Sequence, residues 1–501
     1  MSRDANQVLK HAAIYLLARG LPGVIAFLAI PIFSRVLDPA AYGKYALVFG
    51  TVSLLNAILF QWLRLSLVRY LPAYRDDAPR LKSTILSVEA LLIALTGICA
   101  TVLYFAPLAR SWHDTIWTSW LLLAVLATYE LCCEHTRASI RPWRYMLLQV
   151  ARVTIWVALG SILAWMGYGW WAPLAGMIVG LMLPTIYAYR LEWTDARPLI
   201  DRKALLTVAR YGIPLSATVA LAIVISTSDR FLIAWLMDKS AAGRYSVSYD
   251  LAGQTLTLLM MVVYMATFPL AVRALEHHGP EAAQERMKHN ASLMLAVGLP
   301  AATGFALLAP NIAHCFLGGS FRAAAVSIIP LVGFGAFLGG FKACHLDAAF
   351  QFSHRTIDQV WIVGIAAISN VLLNLVAIPR YGVQGAACAS VAAYIISIVI
   401  TAWYGRRFFP VPTPIRPLLQ VVLASSVMAL VLIPLRSRLG PLAMAEQVIA
   451  GGVTFALVLL AMNFLDLRNT LLGSVPTRAV PATIVDEDAA SVAPALVTET
   501  I

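Results

Sequence analysis

Charge is scarce in this sequence of 501 residues. Only 12% are Asp, Glu, Lys or Arg, while 60% are hydrophobic and the mean hydropathy is +0.78. Soluble domains carry roughly a quarter charged residues, so the composition excludes an ordinary soluble domain and indicates an integral membrane protein. Cysteine is also rare. The six present (Cys99, Cys132, Cys133, Cys315, Cys344, Cys388) lie in or beside apolar runs, with no CxxC pair and no Cys/His cluster at metal-ligand spacing. They read as small core residues, with a redox role for the adjacent Cys132 and Cys133 left open. Catalytic signatures are missing too: GxSxG, HExxH and P-loop patterns do not occur, and no outer loop is long enough to house a glycosyltransferase or polymerase site. The expectation is a protein that is not an enzyme and has no cofactor and no metal.

What the sequence does hold is long apolar runs. A helix needs about 20 apolar residues to cross the hydrocarbon core. Such runs fall at 11–34, 43–63, 83–106, 115–133, 147–166, 171–189, 209–236, 246–271, 291–316, 325–345, 360–379, 384–404, 418–435 and 447–465. The expected fold is therefore all-α and polytopic, with about fourteen spans. Pro22, Pro31, Pro173, Pro184, Pro214 and Pro300 interrupt or cap several of them and leave twelve or thirteen open. The polar start MSRDANQVLK and the length of the run behind it do not suit a cleavable signal peptide.

Basic residues are unevenly distributed among the connecting loops. If residues 1–10 face the cytoplasm, 24 of the 37 Lys and Arg residues fall on that side, 9 on the other and 4 inside spans. The positive-inside rule then places both termini in the cytoplasm. Spread over short loops beside helix ends, these charges explain the net charge of +12 without a nucleic-acid surface, and no nucleic-acid partner is expected. Residues 466–501, rich in Ala, Thr, Val and Pro, with one acidic cluster at Asp486, Glu487 and Asp488, are expected to form a disordered cytoplasmic tail.

One phrase is written twice. DPAAYGKY from Asp38 and DKSAAGRY from Asp238 match at Asp38/Asp238, Ala41/Ala241, Gly43/Gly243, Lys44/Arg244 and Tyr45/Tyr245 without a gap. They follow the first and seventh spans, so six helices separate copies of one orientation, as in parallel repeats that build two pseudo-symmetric lobes. Each Asp is expected to cap, each Gly (Gly43, Gly243) to bend the backbone as a hinge, and each Tyr to sit at headgroup depth.

LDPAAYGKYALVFG, SDRFLIAWLMDKSAAGRYSVSYDLAG and NVLLNLVAIPRYGVQGAACASVAAYI together resemble the Wzx-type polysaccharide (O-antigen and exopolysaccharide) flippases of the MOP superfamily, relatives of lipid II flippases and MATE exporters. NxxxNxxxIPRYGxxGAA, from Asn370 to Ala387, is the most specific part. The resemblance implies two six-helix lobes in a V around a cavity: residues 1–190, a cytoplasmic linker at 191–207, residues 208–404, and two additional helices within 405–465. It also implies membrane translocation of a polyprenyl-linked oligosaccharide by rocking of the lobes, with a polysaccharide polymerase and export machinery as further partners.

Chemistry is sought among charges inside the bilayer, each costing about 2.5–3.5 kcal/mol at mid-helix on insertion scales. Arg19, in YLLARGLPG, either offers a permanent cation to phosphate or snorkels to the cytoplasmic headgroups. Asp229 and Arg230 are adjacent on one span and point about 100° apart, so at least one needs a partner on another helix. Asp229 is the candidate for coupling to an H+ or Na+ gradient and Arg230 for a substrate contact, with an inter-helix salt bridge as the alternative. Asp250 either joins the ion-coupling site or pairs with Arg230 or Arg244. Lys342 and His345 share a face near Asp347 and either line the cytoplasmic mouth, Lys342 contacting substrate, or snorkel. Arg64, Arg69 and Arg152 read as interface anchors, and Glu89, Glu130 and Glu134 as paired groups near the basic interface. The functional expectation is a flippase for polyprenyl-pyrophosphate-linked oligosaccharide; the alternatives are a cation-coupled small-molecule exporter and a scaffold subunit of a polysaccharide synthase complex.

Overall fold

The computed structural model describes residues 3–73, 77–106, 112–353 and 355–466, with side chains from Leu17 onward except those of Arg19 and Thr356. The expected disordered tail with Asp486, Glu487 and Asp488 falls outside the described residues, apart from Asp466.

The described residues form helices throughout. They are α1 (Arg3–Val36), α2 (Pro39–Leu59), α3 (Gln61–Tyr70), α4 (Ala78–Phe105), α5 (His113–Ala138), α6 (Pro142–Trp165), α7 (Trp171–Glu192) and α8 (Arg202–Leu236), then α9 (Lys239–Leu307), α10 (Ala309–Phe316), α11 (Gly319–Phe341), α12 (Ala348–Phe352), α13 (Thr356–Gly405), α14 (Ile415–Leu435) and α15 (Pro441–Ala461). Eleven helical segments are long and apolar enough to cross a membrane. Two of these are double. α9 turns back at Gly279 (φ 83°), just before Pro280, and α13 at Gly382 (φ 59°), three residues after Pro379. Both glycines adopt the left-handed backbone that a side chain disfavours, and each proline lacks an amide hydrogen for the helix ladder. Counting both arms of each, and adding α1, gives the fourteen membrane segments expected from hydropathy.

The connections are more helical than expected, most of all between the arms of α9. Residues 272–290, expected as a cytoplasmic loop, are helical on both sides of Gly279, so the α9 arms extend beyond the apolar runs. Lipid-compatible surface is plain on the outside: Trp165, Leu442, Trp235 and Trp361 are among many large apolar side chains left exposed.

By their contacts the described residues divide into two units, one of residues 3–29 and 48–223, the other of residues 30–47 and 224–466. The second unit holds the two C-terminal helices. Val421, Ala424 and Leu459 from α14 and α15 join a buried cluster with Met260, Met294, Leu295 and Phe337. A polar clasp fixes the α14–α15 turn, where Asn311 donates to Gln447 Oε1 (2.8 Å) and accepts from the Gly440 amide (2.8 Å). The second unit also claims residues 30–47, the tip formed by the end of α1 and the start of α2.

Candidate functional site

The repeated phrase builds two matching helix starts. Asp38 Oδ1 accepts from the Ala41 amide at 2.8 Å, and Asp238 Oδ1 accepts from the Ala241 amide at 2.7 Å. Each satisfies an amide that the first helical turn leaves without a partner. The glycines act differently from the expected hinges, since both lie within regular helix. A Cβ at Gly43 would overlap the Lys239 carbonyl, and a Cβ at Gly243 would overlap the Pro39 carbonyl, with each also crowding the other glycine's amide nitrogen. The two copies are thus packed reciprocally, α2 against α9, at backbone-to-backbone distance. Close approach, rather than bending, is what forbids a side chain here.

Both tyrosines turn into the protein. Tyr45 is buried edge-on to Tyr42 and Phe33, and Tyr245 is fully buried and donates to Asp229. The Tyr45 ring and the Tyr245 hydroxyl thus find partners inside the protein.

Asp229, on α8, is sealed from solvent within a cage of neutral donors. Its carboxylate accepts from Tyr245 Oη (2.5 Å), Ser390 Oγ (2.5 Å) and Asn374 Nδ2 (2.7 Å). A second layer holds these in place: Ser228 donates to Asn370 Oδ1 at 2.8 Å, and Asn370 donates to Ser390 at 3.0 Å. Asn374 Oδ1 is buried there without a hydrogen-bond partner. Among the described residues no cation pairs with Asp229. A carboxylate, an amide oxygen without a donor and several hydroxyls in apolar surroundings form an oxygen-rich set that suits a proton or a hard monovalent cation.

Arg230 points away, as the 100° step demands, and enters a different cluster. It donates to Asp250 Oδ1 at 2.6 Å, and its guanidinium lies 5.1 Å from the Tyr249 ring centre. Gln254 donates to the same Asp250 oxygen (3.1 Å), and Tyr42 Oη, from the α1–α2 tip, donates to Asp250 Oδ2 (3.2 Å). The tip has further ties: Arg35 donates to the Cys315 carbonyl (2.6 Å), and Gly318 N donates to Ser34 Oγ (3.3 Å). Arg230 is therefore not a free substrate cation in this conformation, and Asp250 is its counter-ion rather than an independent ion site.

Lys342 is likewise neutralised. It opens a π-helical turn, Lys342–Leu346, and its ammonium pairs with Asp347 (2.9 Å to Oδ1), which also accepts from Gln359 (3.0 Å). His345 is buried with Nε2 3.2 Å from the Pro412 carbonyl. Neither side chain is presented at a mouth. The Lys342 charge is met internally because a buried charge left unpaired is costly, and the local π-helical turn accommodates the pairing.

In the first unit Arg64 is buried and bonds Glu130, Gln61 and Asn56 (3.1 Å for Asn56), which replaces the expected interface anchoring. Glu89 is not a paired surface group either: it is buried, with Oε2 lacking a partner. Glu192 gathers His135 (2.9 Å), Thr136 (2.8 Å) and Arg141 (3.3 Å). Beside it Lys82 ties down the linker through the Glu192 carbonyl (2.8 Å) and Asp195 (2.5 Å). Burial alone would raise the Asp195 carboxyl; the hydrogen bond and charge of Lys82 outweigh it and hold it below the usual aspartate value. The side chain of Arg19, on α1, lies outside the described residues.

Asn370, Asn374, Ser390, Tyr245 and Tyr42 complete the site, and neither hydropathy nor charge marks them as functional. A signal for two of them is present, since NxxxN puts both amides on one helical face.

The described residues thus form a polytopic helical bundle with buried ionic clusters at the junction of repeated hairpins. The fold is similar to "Lipid II flippase MurJ, inward closed conformation", with a TM-score of 0.75 and 14% identity, over 92% of this chain and 100% of that one. It is similar also to a multidrug resistance MATE family transporter of the MOP superfamily in an inward-facing conformation, with a TM-score of 0.57 and 15% identity, over 78% of this chain and 97% of that one. The chain belongs to the polysaccharide biosynthesis protein family, whose model matches residues 32–327. A relative in Haloferax volcanii, "Probable low-salt glycan biosynthesis flippase Agl15", is 19% identical over 427 residues, 83% of this chain and 87% of that protein.

Proposed function

We propose that this protein carries a polyprenyl-pyrophosphate-linked oligosaccharide across a bacterial inner membrane by alternating access, with both termini cytoplasmic. Membership of the polysaccharide biosynthesis family, the flippase function named for the Haloferax relative and the bias of basic residues support this reading. The observation that carries it is the pair of buried clusters on consecutive residues. Asp229 lies in an oxygen cage without a counter-ion among the described residues, and Arg230 is locked through Asp250 to Tyr42 of the tip. Occupation of the cage by H+ or Na+ acts on Tyr245 and α9, and so on the neighbouring Arg230–Asp250–Tyr42 join. Release of that join lets the α1–α2 and α8–α9 tips part, so the site opens outward only when it is loaded. Arg19 remains the proposed cation for the pyrophosphate, with Arg230 and Lys342 available only once their carboxylates let go. A polysaccharide polymerase takes the product on the outer side.

The test is the sidedness of polyprenyl-linked oligosaccharide in inner-membrane vesicles with and without the protein, read by a lectin confined to the outer leaflet. Protein-dependent appearance of sugar outside is the expected result. Unchanged sidedness with the partner enzymes present would overturn the reading in favour of a small-molecule exporter or a scaffold subunit.

A further inference from the structure

α6 carries a polar and aromatic stripe that none of the expected site residues accounts for. Tyr145, Gln149, Arg152 and Trp156 recur at spacings of four, three and four, and so occupy one helical face. On the other side Trp143, Leu147, Ile162 and Trp165 are exposed, as a lipid-facing surface requires. The stripe is organised. Tyr129 on α5 donates to Gln149 Oε1 (2.9 Å), Gln149 donates to Tyr145 Oη (3.0 Å), and Trp156 Nε1 donates to the Pro173 carbonyl (3.1 Å). Over Tyr129, 5.6 Å from its ring centre, lies the Arg152 guanidinium.

Arg152 has no counter-ion among the described residues. The two carboxylates nearest in sequence to Tyr129 are committed elsewhere, Glu130 to Arg64 and Glu134 to Arg137. Arg152 Nε is buried with no hydrogen-bond partner. Nor does the side chain snorkel. It sits eight positions deeper on α6 than Arg144, about 12 Å along the axis, and its head stays at the level of the Tyr129 ring. A permanently charged, half-buried guanidinium at that depth, turned away from the lipid-facing side and lacking a carboxylate, is held ready for an anion that is not part of the chain.

We propose that Arg152, backed by Tyr129 and Gln149, is an anion subsite of the first unit that takes the phosphate groups of a lipid-linked substrate. This rests on the flippase reading above. It assigns to α6 a cation that Arg230 and Lys342, both neutralised, do not supply. Guanidinium reads phosphate bidentately, and the Tyr129 face keeps its plane fixed for that approach.

The test uses the full chain in phosphatidylcholine nanodiscs and measures binding of polyprenyl pyrophosphate and of uncharged polyprenol. Arg152→Gln is expected to weaken the pyrophosphate lipid about tenfold, the loss of one charge-assisted contact, while leaving polyprenol unchanged. Gln149→Glu sets a carboxylate beside the guanidinium and is expected to weaken the same probe similarly with Arg152 still present, so it carries the test if Arg152→Gln does not fold. Unchanged pyrophosphate binding in folded variants, with the wild type binding normally, would overturn the subsite and leave the flippase reading standing. A wild type that binds neither lipid would remove both. An equal loss of phosphatidylglycerol binding would assign Arg152 to a resident anionic lipid and overturn its role toward substrate.

Discussion

Asp250→Ala should be among the most damaging single changes in the second unit, because it leaves Arg230 buried without a counter-ion. Removing one partner of a buried pair costs about 3–5 kcal/mol. The Tyr249 ring offsets little, since a cation over an aromatic face contributes about 0.5–2 kcal/mol and is already present. Tyr42 loses its acceptor as well, about 1 kcal/mol more. Replacing both charges, Arg230→Met with Asp250→Leu, removes the desolvation cost together with the attraction and should be nearly neutral for stability. A double-mutant cycle through Arg230→Met and Asp250→Leu, with each single change costing about 3–5 kcal/mol and the double nearly none, should therefore give a coupling of about 6–10 kcal/mol, above the roughly 0.5–3 kcal/mol usual for contacting residues. Denaturant titration of the purified chain in mixed micelles measures the four unfolding free energies. Additive single mutants, within about 0.5 kcal/mol, would refute a buried Arg230–Asp250 join.

Tyr42→Phe removes only one bond between the tip and Asp250, worth about 1 kcal/mol, and should raise labelling of a single Ser34→Cys by an impermeant maleimide about fivefold. Gly43→Ala and Gly243→Ala should each disrupt the tip contact by about 1–3 kcal/mol and behave alike, because each Cβ meets the other copy's backbone; a difference of several kcal/mol between them in the same titration would contradict reciprocal packing. Asp229→Asn should keep the fold, since Tyr245 and Ser390 hydroxyls can rotate to suit an amide, yet abolish the response of transport to an H+ or Na+ gradient; a gradient response equal to wild type would exclude Asp229 from coupling. Asp195 is held below its unfolded value by Lys82, so its contribution is present above the unfolded value and is lost as pH falls through the folded one. The pair is half exposed on the Asp195 side, so the effect is no more than about 1 kcal/mol, and the acid limb of a melting-temperature profile should flatten in Asp195→Asn.

Much of this protein is legible in its sequence, and the legible part is local. Spans follow from hydropathy and length, because lipid demands an unbroken apolar run whatever the neighbours are. The Asp38 and Asp238 caps follow from one carboxylate and an amide three residues on. The bias of basic loops to one side follows from counting. Even the divergence of Asp229 and Arg230 into separate surroundings follows from the helical step.

Only the tertiary structure decided which distant groups those charges meet. Asp250 has two possible cations within reach by sequence, and packing chose Arg230 and added Tyr42 from the first repeat. Gly43 and Gly243 lack a side chain, which suits a bend and a close approach equally; the distinction lies in the Lys239 and Pro39 carbonyls on the facing copy. Arg152 reads as an interface anchor in the sequence because hydropathy does not say whether a helix face meets lipid or another helix. Sequence determined the spans and the repeat because backbone satisfaction in hydrocarbon is a property of each segment alone. The pairing of buried charges was decided by the fold, because desolvation penalises an unpaired charge wherever it lies and only three-dimensional proximity determines what can pair with it.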